Sequence, residues 1–250
     1  MLPNSKLFTP DAGWRLVLYP DALEASCVFR PSLRSPRMYV PPGYAADPQR
    51  ARAEAARRAR AKLRRYAVAN RLDRMVTLTH APPFCLDPRQ ARDDVAQFIR
   101  SIRRELGGRP LPYVWVPEWH KDEERLHLHL GVGRFVRQTL IRRVWGHGHV
   151  FINRHSGIRH GAPEVEASRI AAGYLSKYLA KTFDRPDLGG LHRYEVAQGF
   201  HPRAVEFTGT HEGQALDAAC DFIGSRPIFR WSSDDASNWL APPARSYQWD

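Results

Sequence analysis

The stretch 112–132, "PYVWVPEWHKDEERLHLHLGV", is the part of this chain with the fewest ways to fold. In "RLHLHLGV", Leu126, Leu128 and Leu130 alternate with His127 and His129. In an extended chain the leucines therefore point to one face and the imidazoles to the other. "PYVWVPEWH" reads as a preceding strand, and the charged "KDEE", Lys121–Glu124, as the hairpin loop between them. Centring that loop between Asp122 and Glu123 sets Glu118 opposite His127 and Val116 opposite His129. Cross-strand partners share a face, with Cβ atoms ~4.5–5.5 Å apart, and the two histidines lie ~7 Å apart along their strand. Glu118, His127 and His129 then converge as two imidazoles and one carboxylate, a donor set for a divalent cation. A slip of one residue would turn Glu118 to the leucine face. A half-exposed strand with solvent-facing histidines is the alternative reading.

The remaining elements follow from periodicity and punctuation. Residues 1 to about 35 read as a short strand-rich segment, "WRLVLY" and then "ASCVFR", followed by a proline-bearing linker, "RSPRMYVPPGYAADPQ". "RARAEAARRARAKLRRYAVANRLDR" is a helix by its alanine and arginine content, with basic residues running right round it. "MVTLTH" is a strand. In the helix that follows, Asp87 is the expected N-cap, Pro88 sits at the first position and Gly107 marks the stop. Val95, Phe98, Ile99, Ile102 and Leu106 form its apolar stripe. Beyond the hairpin come a helix at "VRQTLIRRVWGHG", a short strand at "HVFINR", a long helix at "EVEASRIAAGYLSKYLAKTF" and a further helix near 212–223. In "WGHGHV" the glycines place His147 and His149 at a turn after Trp145, with a structural role. The order strand, helix, strand, strand, helix, strand, helix predicts an α+β fold with an antiparallel, ferredoxin-like sheet and flanking helices. The expected domains are 1–50 as strands and linker, 51–74 as the basic helix, 75–200 as the core, and 201–250 as an extension.

The long helix carries the second chemical signal. "GYLSKYLAK" sets Tyr174 and Tyr178 four apart and Lys177 and Lys181 four apart, so one turn presents two phenols beside two ammonium groups. An unassisted phenol, of pKa about 10, is a weak nucleophile at neutral pH. A nearby cation and lysine would stabilise its anion or the phosphate it attacks. A core-facing tyrosine pair with snorkelling lysines would give the same spacing.

Charge narrows the substrate. A net charge of +12, carried mostly by arginine, favours polyanions, with nucleic acid ahead of an anionic membrane surface. Arg57, Arg58, Arg64 and Arg65 of the basic helix, with Lys181, are candidate DNA-phosphate contacts. No apolar run approaches the ~18 residues of a membrane helix, and the first residues lack a signal-peptide core, so a cytoplasmic location is expected. Cys27, Cys85 and Cys220 are isolated, so neither a disulfide framework nor a cysteine zinc site is expected.

"VTLTH" (76–80), "HLHLG" (127–131) and "YLSKYLAK" (174–181), taken in that order, resemble the motifs of the HUH endonucleases. The likeness is closest to the rolling-circle replication initiators of plasmids and small single-stranded DNA phages. It implies an RRM-like antiparallel sheet with the histidines on its central strand, bound Mg²⁺ or Mn²⁺, and nicking of one DNA strand at an origin. It also implies a 5′-phosphotyrosyl intermediate and a free 3′-hydroxyl that primes synthesis. Carried over, His127 and His129 are metal ligands and Glu118 matches the upstream acidic ligand. Tyr174 is the nucleophile of the YxxK pattern, with Lys177 beside metal and phosphate. Tyr178 matches the second tyrosine of two-tyrosine phage initiators, although one-tyrosine initiators carry similar strings. The chain has no GxxxxGK[ST] motif, so a separate helicase and the host DNA polymerase are the expected partners. The position of the tyrosine helix after the histidine strand is the initiator order and argues against a relaxase. A transposase of related fold, a non-catalytic origin-binding repressor on the same scaffold and a basic RNA-binding protein are the competing readings.

Overall fold

Two aspartate–proline pairs open the first long helices, and each does so by the same local chemistry. Asp47 accepts a hydrogen bond from Arg50 N (2.9 Å) and Asp87 from Arg89 N (2.9 Å), with Pro48 and Pro88 in the first turn, where no N–H is needed. The computed structural model describes residues 12–32, 40, 41, 43–120, 125–153, 157–184, 192–237 and 239–250. In chain order the elements are β1 (Gly13–Tyr19), β2 (Glu24–Arg30), α1 (Pro48–Ala69), β3 (Arg74–His80), α2 (Pro88–Glu105), β4 (Tyr113–Trp119) and β5 (Leu126–Val132). They continue with α3 (Gln138–Trp145), β6 (Gly148–Asn153), α4 (Glu164–Asp184), β7 (Glu195–Val196), β8 (Val205–Gly209), α5 (Glu212–Ile223), β9 (Phe229–Ser232) and β10 (Ala244–Gln248). The architecture is mixed α+β with two antiparallel five-stranded sheets. The hairpin loop Lys121–Glu124 and part of the 35–49 linker fall outside the described residues.

The chain divides into two units, one running from Pro42 to Pro202, the other drawn from both ends of the chain. In the terminal unit the sheet order is β8-β1-β2-β10-β9. Leu16, Leu18, Ala25 and Cys27 of its β1–β2 hairpin are buried with Ala215, Ala219 and Cys220 of α5. The N-terminal strands and the C-terminal extension, read separately in the sequence, thus share one sheet.

In the central unit the order is β6-β3-β5-β4-β7, with the histidine strand β5 in the middle. Alternation decides its two faces. Val76, Leu78, Trp115, Leu126, Leu128 and Leu130 point to one side and pack on Val95, Phe98, Ile99 and Ile102 of α2 and Ile141 and Trp145 of α3. Each fully buried leucine contributes about 1.5–3 kcal/mol. Met75, Val114 and Val116 point to the other side, against Leu63, Tyr66 and Ala67 of α1 and Ala171, Ala172, Leu175 and Leu179 of α4. The basic helix is therefore not polar all round. Ala56, Leu63, Tyr66 and Ala67 form a buried stripe, hidden in the sequence because alanine supplies part of it.

Gly131 permits the close seating of α4. A Cβ there would lie 2.8 Å from Leu175 Cδ1 and 3.3 Å from Val114 Cγ1. Leu175 thereby fixes which turn of α4 lies over β5. In "WGHGHV", Gly146 takes φ 62° to close α3, and His149 continues into β6.

Candidate active site

The pairing register of β4 with β5 places Glu118 opposite His127 and Val116 opposite His129, as counted from the sequence. On the other side of β5, Thr79 pairs with His127 and Thr77 with His129. Two cross-strand rows result on the face covered by α4. One runs His149, Thr79, His127, Glu118; the other runs Phe151, Thr77, His129, Val116. In the motif "VTLTH" the two threonines thus serve the histidines, while His80 alternates to the opposite face.

Hydrogen bonds orient both imidazoles. Thr77 Oγ1 is 3.1 Å from His129 Nδ1, and Thr79 Oγ1 is 3.3 Å from His127 Nδ1. A hydroxyl at Nδ1 holds the ring so that Nε2 faces the site, the role usually played by the outer partner of a metal-binding histidine. His129 Nε2 donates to Glu118 Oε2 at 2.7 Å. His127 Nε2 is buried and has no hydrogen-bond partner among the described residues, a rare condition for a polar atom. His120, also on this face, stacks on His127 with centroids 5.0 Å apart.

Helix α4 delivers the remaining groups. The Tyr178 ring stacks on His129 at 3.6 Å between centroids and 12° between planes, and its hydroxyl donates to Tyr174 Oη at 2.5 Å. Lys181 forms an ion pair with the second oxygen of Glu118, and its Nζ also lies 5.4 Å from the Tyr178 ring centre. Lys177 is exposed on the same helix. Arg57 and Arg58 are exposed on α1, Arg58 reaching Glu54 at 3.5 Å, and Arg64 and Arg65 are half-buried.

Burial and charge act on these groups in opposite senses. Burial pushes the Glu118 carboxyl up, but His129 and Lys181 overcome it and hold the group below the usual carboxylate range. Burial, helped by the neighbouring His120 and His129, holds His127 below the usual imidazole range. Burial pushes the Tyr178 phenol up, and its hydrogen bond to Tyr174 pushes it further. The proton that Tyr178 offers lies where it would stabilise negative charge on Tyr174 Oη.

The donor chemistry of this face fits a divalent cation: two imidazoles, one of them with an unpartnered buried Nε2, and an ionised carboxylate. A second group lies on the opposite face of the sheet. Ligand atoms of His80, Cys85 and Asp94 all fall within 4.8 Å of one another, and this cluster could hold a metal ion.

Sequence reasoning passed over several of these residues. Thr77, Thr79 and His120 were findable as the same-face neighbours of the two histidines. Phe151, 66 % exposed on β6, was findable as an aromatic on an edge strand. Cys85 and Asp94 offered no spacing signal.

Residues 73–183 match the model of a replication-associated protein family, the ORF2 type, a little under half of the chain. No curated protein and no solved structure is matched. The similarity supports a replication-related role and an interaction with DNA, and it spans β3 through α4, the elements that build both rows and carry the tyrosines. Among the described residues, no helix is long and apolar enough to cross a membrane.

Proposed function

We propose that the central unit is an HUH-type endonuclease that nicks and rejoins single-stranded DNA to initiate rolling-circle replication. The observation that carries this reading is the meeting of α4 with the β4–β5 hairpin: Tyr178 lies on His129, Lys181 pairs with Glu118, and Tyr174 Oη accepts the proton of Tyr178.

In this reading Glu118, His127 and His129 hold Mg²⁺ or Mn²⁺, which when bound polarises the scissile phosphate. Tyr174 Oη attacks phosphorus, forming the Tyr–O–P bond as the bond to the 3′ oxygen breaks. The tyrosine proton balances the one taken up by the departing 3′-hydroxyl, and the phosphodiester energy is kept in a 5′-phosphotyrosine. Tyr178 orients Tyr174 and stabilises its developing charge. Lys181 holds the Glu118 carboxylate in place, and exposed Lys177, three residues from Tyr174, meets the DNA phosphate. Arg57, Arg58, Arg64 and Arg65 follow the backbone further along the strand. Rejoining reverses the same step with the 3′-hydroxyl as attacker. A separate helicase and the host polymerase supply unwinding and synthesis.

The test is a covalent-trap assay with the full chain, Mn²⁺ and 3′-labelled single-stranded fragments of the DNA that carries its own gene. The expected result is a labelled, denaturant-resistant adduct that disappears with chelator. DNA binding without any adduct would favour the origin-binding repressor.

Two further outcomes follow. Protonating His127 would remove its lone pair from the cation, and its proton affinity is depressed, so neutral His127 persists below the ordinary imidazole pKa of about 6.5. Cleavage should therefore lose rate on the acid side only below about pH 6.5; a limb centred above neutrality would contradict the assignment. Phe151 sits on the same row as His129, two strands away, or about 10 Å. Stacking of a DNA base on an exposed aromatic is worth about 1–3 kcal/mol. Phe151→Ala should therefore weaken single-strand binding about 5- to 150-fold, measured by fluorescence anisotropy, with the adduct chemistry intact at saturating DNA.

A further inference from the structure

The face of the sheet turned away from the tyrosines carries a group of polar residues in the middle of an apolar layer. His80 ends β3 beside Val76 and Leu78, and Asp94 sits on α2 between Ala91 and Val95, within that helix's buried stripe. Both are less than one-tenth exposed. His80 Nε2 meets Asp94 Oδ2 at 2.8 Å, and Gln90 Nε2 donates to Asp94 Oδ1 at 2.8 Å. Cys85, from the loop joining β3 to α2, brings its sulfur to the same point, with Sγ 3.3 Å from Asp87 O. The other nitrogen of His80, Nδ1, is buried with no hydrogen-bond partner among the described residues. The His147 ring lies 5.7 Å from that of His80.

We propose that His80, Cys85 and Asp94 form a zinc site that clamps the end of β3 to the second turn of α2. A buried carboxylate in an apolar layer calls for positive charge, and among the described residues Asp94 finds only His80 and Gln90. The donors are one sulfur, one nitrogen and one oxygen, a mixture that suits borderline-soft Zn²⁺ and not Mg²⁺, which takes oxygen ligands. Ligand bonds of about 2.0–2.3 Å put the donor atoms of a tetrahedral zinc site about 3.3–3.8 Å apart. Atoms already within 4.8 Å of one another reach that spacing by side-chain rotation. Zinc would release the thiol proton of Cys85, which burial otherwise retains by pushing that group above its ordinary value. His147 is the nearest candidate for a fourth donor, water being the other. The site lies across the sheet from His127 and His129 and does not depend on the reading of the tyrosine helix.

Cobalt is the probe, because a thiolate bound to Co²⁺ gives a near-ultraviolet charge-transfer band that imidazole and carboxylate ligands do not. The full chain, stripped with chelator under reducing conditions, is titrated with Co²⁺ and then with Zn²⁺. We expect one equivalent of Co²⁺ to produce the band and Zn²⁺ to bleach it. The band should vanish in Cys85→Ser, weaken with at least about 10-fold poorer Co²⁺ affinity in Asp94→Asn, and persist in His127→Ala. Cys27→Ser and Cys220→Ser, each made singly, should retain it, which assigns the sulfur even if Cys85→Ser folds poorly. Absence of a sulfur band in the wild-type chain at saturating Co²⁺, or its survival in folded Cys85→Ser, would overturn the proposal.

Discussion

Replacing Tyr174 by phenylalanine is expected to abolish the covalent DNA adduct while leaving single-strand binding intact. The substitution removes one oxygen and keeps the ring, so the edge-on contact with Tyr178, 4.9 Å between ring centres, survives. The Tyr178 hydroxyl loses its acceptor but lies half-exposed and can turn to water. With no atom left to attack phosphorus, adduct formation should fall by at least about 10³-fold, the usual scale for loss of a nucleophile. Denaturing gels of the labelled adduct measure the loss, and anisotropy measures the binding that remains. An unchanged adduct would move the nucleophile to Tyr178, whose phenol is the one that burial and its own donated hydrogen bond hold protonated.

The second large effect belongs to Glu118→Gln. The amide has the size of the carboxylate and can still accept from His129 Nε2, so the hairpin should keep its shape. It loses the charge that faces Lys181 and the oxygen ligand the cation needs. Cleavage should fall by at least about 10²-fold, with a matching rise in the Mn²⁺ needed for half-maximal rate. The exposed ammonium of Lys181 loses only a surface partner, worth about 1 kcal/mol or less, so thermal stability should change little. A variant with an unaltered metal titration would remove Glu118 from the ligand set.

The hairpin was legible because two constraints coincide in it. Period-two alternation assigns Leu126, Leu128 and Leu130 to the core, and a short charged loop fixes which residue of β4 lies across from each histidine. The tyrosine helix was legible only in part. Helical spacing puts Tyr174 with Tyr178 and Lys177 with Lys181, but each lysine stands in the same relation to one tyrosine. Which of them reaches Glu118 is a question of sliding along the axis, and the contact of Leu175 with Gly131 answers it in favour of Lys181. No local pattern contains that contact. The joining of β1 and β2 with β8 and β10 was hidden for the same reason, since it pairs strands from opposite ends of the chain. Cys85 was isolated by spacing, and only the packing of α2 on β3 brings Asp94 and His80 to it.

The account stands on a phenol of α4 being carried to the phosphate that the β4–β5 hairpin holds. Mass spectrometry of the trapped adduct tests this directly, because trypsin cutting after Arg169, Lys177 and Lys181 separates the two candidates. The peptide Ile170–Lys177 contains Tyr174, and Tyr178–Lys181 contains Tyr178. The predicted result is a 5′-nucleotide on Ile170–Lys177, formed only with Mn²⁺ present and lost in Glu118→Gln. A nucleotide found on a peptide from outside α4, or formed equally well in chelator, would contradict the account.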